Sequence, residues 1–403
     1  MLSSKILLTA LIFGAVVPHT LAVRYDANGG SDTIVVNDNF AICDVDVEIN
    51  MRNFGYTIDP QISVSVGGRS ITLLDFECPF GVIGSTNLHV VFDDDASTNP
   101  IDCSSVDSTD GSAVQPFENF ASLNGEPSQG TWQLIPDSRN SFVSDALNQW
   151  AVILTPCGDG AGTGDPHFKT WANKWYDFHG ACDLVFISNP KFSQGTGLEI
   201  HIRTKARYQY SFIESAAVQI GIDILEVGAF GGYMLNGISN AELEKMDKYT
   251  VTHEKVSPKQ DVFTIELGEG KQIVVQSFKD LVSVKTVGAG FEEYGDSMGL
   301  LGEFGSGKWL ARNGTVMSNA DDFGMEWQVL ESEPKLFQTQ RVPQRPVQCT
   351  MPSSERVGRR GLGESIAEAA AEKACEHWGD LKDQCVYDVM AAGDLELAEA
   401  GAF

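Results

Sequence analysis

Period-two alternation of apolar and polar residues recurs along most of this chain and constrains its fold more than any other feature. Val45-Asp46-Val47-Glu48-Ile49, Ile62-Ser63-Val64-Ser65-Val66 and Leu198-Glu199-Ile200-His201-Ile202-Arg203-Thr204 each put every second side chain on one face. That is the pattern of a strand with one buried and one wet side. Residues 217–222, 263–267 and 271–276 repeat it. Gly67-Gly68 precedes the returning Ile71-Thr72-Leu73-Leu74 and is a two-residue hairpin signal, while Asn236-Gly237 and Gly268-Glu269-Gly270 separate later strands. Leu184-Val185-Phe186-Ile187 is a continuous apolar run that suits a strand buried on both faces. Val90-Val91-Phe92 is a short strand ended by Asp93-Asp94-Asp95, a triplet that reads as a solvated loop or, alternatively, as a calcium-holding one. The chain is therefore expected to be mainly β. Residues 23–157 should form a jelly-roll-like β-sandwich and residues 158–348 a meander of strands. Residues 349–403 should form a linker and a short helical, cysteine-containing tail, since residues 365–378 are rich in Ala and Glu. Gly158-Asp159-Gly160-Ala161-Gly162-Thr163 reads as a short flexible connector.

Composition narrows the function classes. The 403 residues are 42% apolar and 21% charged, as in a globular protein, and the formal net charge is -27. Phosphate binding needs clustered Lys and Arg, so nucleic acid is not expected as a partner. The acidity suits calcium, a cationic surface or plain solubility. Residues 1–22 read as a signal peptide. Lys5 supplies its charge, residues 6–17 its apolar core and Thr20-Leu21-Ala22 its cleavage site. The core is too short to span a membrane and no other apolar stretch approaches roughly 20 residues, so no transmembrane segment is expected. A secreted chain beginning near Val23 would hold its eight cysteines as disulfides.

Two family resemblances follow from denser motifs. Gly164-Asp165-Pro166-His167-Phe168, Trp171, Tyr176-Asp177-Phe178-His179-Gly180 and Cys182-Asp183-Leu184 resemble the opening of a von Willebrand factor type D domain. Ser297-Met298-Gly299-Leu300-Leu301-Gly302-Glu303-Phe304-Gly305 and Asn319-Ala320-Asp321-Asp322-Phe323-Gly324 with Glu326-Trp327 resemble its closing segments. Leu301 stands where that family has Cys, and Glu303 and Gly305 where it has Asn. The resemblance implies an extracellular, disulfide-bonded module used in assembly and adhesion. It also implies a structural calcium, with Asp165, Glu303, Asp321 and Asp322 as candidate ligands. Some gel-forming mucins cleave themselves at Asp-Pro. The same resemblance thus offers an alternative, self-processing at Asp165-Pro166 with Asp165 as nucleophile and His167 as proton donor.

Upstream, Phe92-Asp93-Asp94-Asp95-Ala96, Pro116-Phe117, Phe120-Ala121-Ser122-Leu123-Asn124-Gly125, Gly130-Thr131-Trp132-Gln133-Leu134 and Leu147-Asn148-Gln149-Trp150 resemble the P (Homo B) domain of subtilisin-like proprotein convertases. The His and Gly-Asp-Leu features of that family's first half are absent. The resemblance implies a stand-alone sandwich filled by Trp132 and Trp150 on neighbouring strands. It also raises a third reading, an accessory or inhibitory partner of a secreted protease. Cys375, Cys385, Val386-Tyr387-Asp388-Val389 and Gly393-Asp394 resemble the cysteine segment that trails type D domains.

Cysteine connectivity does not follow from sequence alone. With Leu301 replacing the usual partner, Cys157 is freed to pair within the first module. The expected set is Cys182–Cys349, Cys375–Cys385, Cys43–Cys157 and Cys78–Cys103, which leaves no thiol for mucin-style polymers. Asn313-Gly314-Thr315 is a glycosylation sequon on Asn313. Arg356-Val357-Gly358-Arg359-Arg360 is either a processing site before Gly361 or an exposed basic linker. The Gly302–Lys308 spacing of a P-loop ends in Trp309 rather than Ser or Thr, and a zinc set of His167, His179 and Cys182 conflicts with a disulfide at Cys182. No His-Glu-x-x-His or Rossmann fingerprint occurs. The expectation is a non-enzymatic extracellular matrix, cell-wall or adhesion protein. Its partners would be extracellular proteins or glycans, with self-association also open.

Overall fold

The computed structural model describes residues 22–27, 31–56, 61–75, 84–98, 100, 110–136, 147–164, 166–207, 210–338, 349–351, 368–382, 385–386, 389–390 and 393–400. The alternating segments are strands, and their apolar faces meet between paired sheets. In the first module these are β1 (Val23–Asp26), β2 (Thr33–Val36), β3 (Ile42–Tyr56), β4 (Gln61–Val66), β5 (Arg69–Asp75), β6 (Gly84–Asp93), β7 (Ser112–Val114), β8 (Gly130–Pro136) and β9 (Leu147–Pro156). One sheet has the order β1-β9-β3-β6-β7 and the other β2-β8-β4-β5. Setting aside β7, which joins β6 in parallel, this arrangement of eight antiparallel strands is jelly-roll connectivity. The Gly67-Gly68 turn has φ of +59° and +82°, as a tight hairpin with the strand twist requires.

Val45, Val47 and Ile49 of β3 meet Val36 of β2, Val64 of β4 and Trp132 of β8 in one core. Trp132 and Trp150 are not on neighbouring strands as expected. They come from the two facing sheets, on β8 and β9, because the chain switches sheets between them. Both are fully buried, and each indole N–H finds a backbone carbonyl, Ser128 at 3.3 Å and Ser31 at 2.9 Å.

The second module holds β10 (Ala161–Thr163), β11 (His167–Lys169), β12 (Trp175–Asp177), β13 (Asp183–Asn189), β14 (Leu198–Arg207), β15 (Tyr210–Ile220), β16 (Asp223–Gly228), β17 (Tyr233–Leu235), β18 (Ile238–Ser239), β19 (Lys245–Met246), β20 (Tyr249–Ser257), β21 (Gln260–Gly268), β22 (Lys271–Phe278) and β23 (Leu281–Val287). β13 to β18 form a six-stranded meander, and β12-β11-β10-β23-β22-β21-β20-β19 an eight-stranded sheet. The continuous apolar run of β13 is buried almost throughout, in a core with Phe263, Ile265 and Val284. Asp183 and Arg203 pair across β13 and β14 at 2.7 and 2.9 Å with both side chains buried, and the guanidinium lies 4.2 Å from the Phe337 ring centroid.

Residues 158–163 are not a flexible connector. Gly158, Gly160, Ala161 and Gly162 are buried, and β10 is hydrogen-bonded on both sides, to β11 and β23. Their glycines serve close packing: a Cβ on Gly160 would lie 2.2 Å from Leu301, and one on Gly162 2.9 Å from Phe186.

Each module has its own core, and the two meet at Cys43. Cys43 of β3 is bonded to Cys157 and belongs to the apolar cluster of the second module. Cys182 is bonded to Cys349, and Cys375 to Cys385. The first two bridges close loops of 114 and 167 residues. By chain entropy such loops stabilise by about 5 kcal/mol each. The tail is short and helical, with Glu368–Ala374 an α-helix and Glu376–Leu381 and Leu395–Ala400 3-10 turns. Among the described residues no helix is long and apolar enough to cross a membrane. The expected signal peptide through Leu21, Asp165, Cys78, Cys103, Pro343, Pro346, Pro352, the Arg360-Gly361 bond, Tyr387 and Asp388 lie outside the described residues.

Gly125 and Gly305 meet where the modules touch. Gly305 has φ +102°, and a Cβ there would lie 3.0 Å from the Gly125 backbone, whereas Gly268 has φ +103° and open space around it. Gly305→Ala and Gly268→Ala therefore share the conformational cost and differ in the contact. Gly305→Ala should be the less stable by about 1–3 kcal/mol in thermal melts. Equal melting temperatures would mean that the contact between modules contributes nothing.

Candidate functional site

Strand β3 has two faces. Val45, Val47 and Ile49 are buried, so Asp44, Asp46 and Glu48 point the other way. Antiparallel pairing puts Asp93 of β6 opposite Asp46, and the chain then turns through Asp94 and Asp95. The carboxylates of Asp44, Asp46, Asp93, Asp94 and Asp95 thereby collect close enough to perturb one another. They lie where Lys174 of the second module reaches Asp95 at 3.0 Å.

The acidic triplet is a turn with Asp95 exposed to solvent, and each member is also used locally. Asp93 Oδ1 accepts the Asp95 N–H at 2.7 Å. Asp94 accepts the Phe120 N–H on both oxygens, at 3.0 and 2.9 Å. Asp95 joins the modules through Lys174. Asp44 Oδ1 accepts from Val45 N at 3.0 Å. Asp46 Oδ1 is buried with no hydrogen-bond partner.

An acid in that position ionises reluctantly. Burial, then repulsion from Asp44 and Asp93, raises the Asp46 pKa to about 7. Burial, then Asp95 and Asp93, raises Asp44. Burial also raises Asp94, against the opposing hydrogen bond from Phe120. Burial disfavours the Lys174 cation, but the hydrogen bond to Asp95 and the other carboxylates outweigh it and raise its pKa. Within this acidic seam Asp46 is the carboxyl whose charge changes near neutral pH.

The expected calcium ligands stand elsewhere. Asp321 and Asp322 lie exposed in the first turn of the helix Ala320–Glu326, capped by Asn319, whose side chain accepts the Asp322 N–H. Glu303 Oε2 accepts from the Ser306 hydroxyl at 2.7 Å. Asp165 lies outside the described residues. Among the described residues no three His, Cys, Asp or Glu side chains are grouped so as to hold a metal ion.

Of the self-cleavage set, Pro166 and His167 are buried. Cross-strand pairing of His167 with Asp177 sets Nδ1 2.6 Å from the carboxylate. Burial opposes the Asp177 charge, but the hydrogen bond and charge of His167 prevail and lower its pKa. Cys182 is in a disulfide and so is no zinc ligand. Asn313 is exposed in a turn closed by Ala311 N to Thr315 O at 2.8 Å.

Sequence reasoning named Asp93, Asp94 and Asp95 but missed Asp44, Asp46 and Lys174. The alternation of β3 carried the signal for Asp44 and Asp46. Their meeting with the triplet depends on the β3–β6 register, and the meeting with Lys174 on the packing of the modules.

The folded-state pKa of Asp46 lies above its ordinary value of 3.8, so its ionisation weakens the folded state. Its stabilising contribution is fully present below about pH 4 and is lost as pH rises through about 7. Asp46→Asn should raise stability at pH 8 by about 1–2 kcal/mol after solvent screening, and flatten the melting curve between pH 5 and 8. An unchanged pH dependence in the variant would remove Asp46 as its source. Neither family models nor curated proteins give a match to this chain, so the functional reading rests on its own residues.

Proposed function

We propose that this is a secreted, non-enzymatic extracellular protein, of a matrix, cell wall or adhesive, that acts by binding protein or glycan partners and by assembly. The observation that carries the reading is covalent. Two disulfides close loops of 114 and 167 residues, one seating Cys43 of the first module against the core of the second and the other closing the second module. Structural disulfides of this kind persist in oxidising compartments. The resemblance of residues 164–184 to a type D domain opening and of residues 92–150 to a P domain agrees with such a role.

The first test is the intact mass of the protein purified from culture medium, non-reduced and reduced. The reading expects one chain beginning near Val23 that gains about eight hydrogens on reduction. A chain retained in the cell with reduced cysteines would overturn it.

A calcium ion held by Asp165, Glu303, Asp321 and Asp322 belongs to the same reading. A ligand present at about 100 times its dissociation constant stabilises by about 2.7 kcal/mol. Chelation should therefore lower the melting temperature and added calcium restore it, with no response in Asp321→Ala/Asp322→Ala. A melting temperature indifferent to chelator would sink the calcium site.

Self-processing is the second reading, favoured by a histidine next to Pro166 that Asp177 holds in a fixed orientation at 2.6 Å. It expects a fragment beginning at Pro166, absent in Asp165→Asn. A single uncut chain after prolonged incubation at pH 5 would dispose of it.

A further inference from the structure

Beyond Met351, the described part of the tail, from Glu368 on, is fastened to the second module without a disulfide to it. Its one disulfide, Cys375–Cys385, closes on itself across 10 residues. Ala371, Cys375, Cys385, Val389 and Leu397 pack on Phe212 of β15, Phe278 of β22 and Leu281 of β23. These body residues lie at one end of their strands, beside the hairpin turns that carry Lys259 and Lys279. The lysines meet tail carboxylates. Lys259 lies 2.9 Å from Glu396 and 3.5 Å from Glu399, and Lys279 lies 2.7 Å from Asp394 and also pairs with Glu396. The surface is thus an apolar patch rimmed by two cations, occupied by an acidic, largely helical segment.

Three features make that occupant exchangeable. It folds around its own disulfide. Its ion pairs are at least partly solvent-exposed and therefore weak singly. It is joined to Met351 through residues 352–367, a stretch able to span roughly 55 Å when extended. A second copy of the chain presents the same tail, with the same charges in the same places.

We infer that the patch formed by Phe212, Phe278, Leu281, Lys259 and Lys279 accepts the tail of a second copy, giving a reciprocal, tail-exchanged dimer. Exchange creates no new chemistry, since each tail makes with the other body the contacts it makes with its own. It is a route to assembly that uses no intermolecular disulfide. The inference deepens the assembly part of the proposed function and depends neither on secretion nor on any ligand.

Charge reversal separates exchange from simple intramolecular docking. One full-length variant carries Lys259→Glu/Lys279→Glu, the other Asp394→Lys/Glu396→Lys/Glu399→Lys. In each alone the tail and its patch repel, so each should run as a monomer in light scattering. In an equimolar mixture each tail matches the other variant's patch, and the mass should double, roughly twofold over the monomer. Wild-type protein should show a dimer fraction that rises with concentration and is absent from both variants. Circular dichroism melts of the body confirm that the variants are folded before mixing; if either fails, Lys279→Glu with Asp394→Lys repeats the cycle at one pair. A mixture that stays monomeric overturns tail exchange, while leaving binding to other partners standing.

Discussion

Everything in this molecule depends on how the chain passes from its first sheet pair to its second. At that crossing the Cys157 N–H bonds to Ala41 O at 2.8 Å, and the Cys43–Cys157 bridge fixes the same two segments covalently. Immediately beyond it Gly158 N bonds to Trp171 O at 2.7 Å, and Trp171 N to Leu301 O at 3.2 Å. The Trp171 ring, fully buried, packs on Tyr294 at 5.2 Å and edge-on to Phe304 at 5.1 Å. Exposed backbone at a joint must otherwise be satisfied by water. Here the backbone groups of the joint bond to one another, and the glycines around it are the residues that let backbone and rings approach.

The second module adds a different constraint. Asp183 and Arg203 form a buried, two-pronged ion pair between neighbouring strands, covered by Phe337. Such a pair is weak evidence for net stability, yet removing one partner would strand the other charge. Its effect is on geometry. It ties β13 to β14, and the same strand β13 leads from Cys182, whose bridge to Cys349 brings the chain back after the rest of the module. Gln338 N also bonds to Glu226 on β16 at 2.6 Å, so the returning segment is held on the sheet before it reaches the bridge.

Much of this was legible in the sequence. The period-two segments are strands where they were expected, Gly67-Gly68 is a hairpin turn, and the Ala- and Glu-rich stretch supplies a short helix. The failures have physical causes. Gly158 to Gly162 read as flexible because glycine loosens an isolated chain, whereas in a packed structure the missing side chain allows closer contact. Trp132 and Trp150 were assigned to neighbouring strands because both follow strand patterns. In a jelly roll, strands successive in sequence can lie on opposite sheets, and alternation does not encode which sheet a strand joins. The acidic seam was half legible: composition marked Asp93 to Asp95, but only the register of β3 against β6 supplies Asp44 and Asp46.

Charge then sets how such a molecule can assemble. With 55 acidic and 28 basic residues, copies repel one another at long range. Several cations are engaged in fastening: Lys174 joins the modules, Arg203 joins two strands, Lys271 holds Glu293 at 2.7 Å, and Lys259 and Lys279 hold the tail. Contact between copies is therefore favourable only where a local cation faces a carboxylate supplied by the other copy, and the tail patch meets that condition. Salt acts on both terms. It screens the long-range repulsion and weakens the exposed pairs, and the apolar contacts of Phe212, Phe278 and Leu281 are the part it leaves intact.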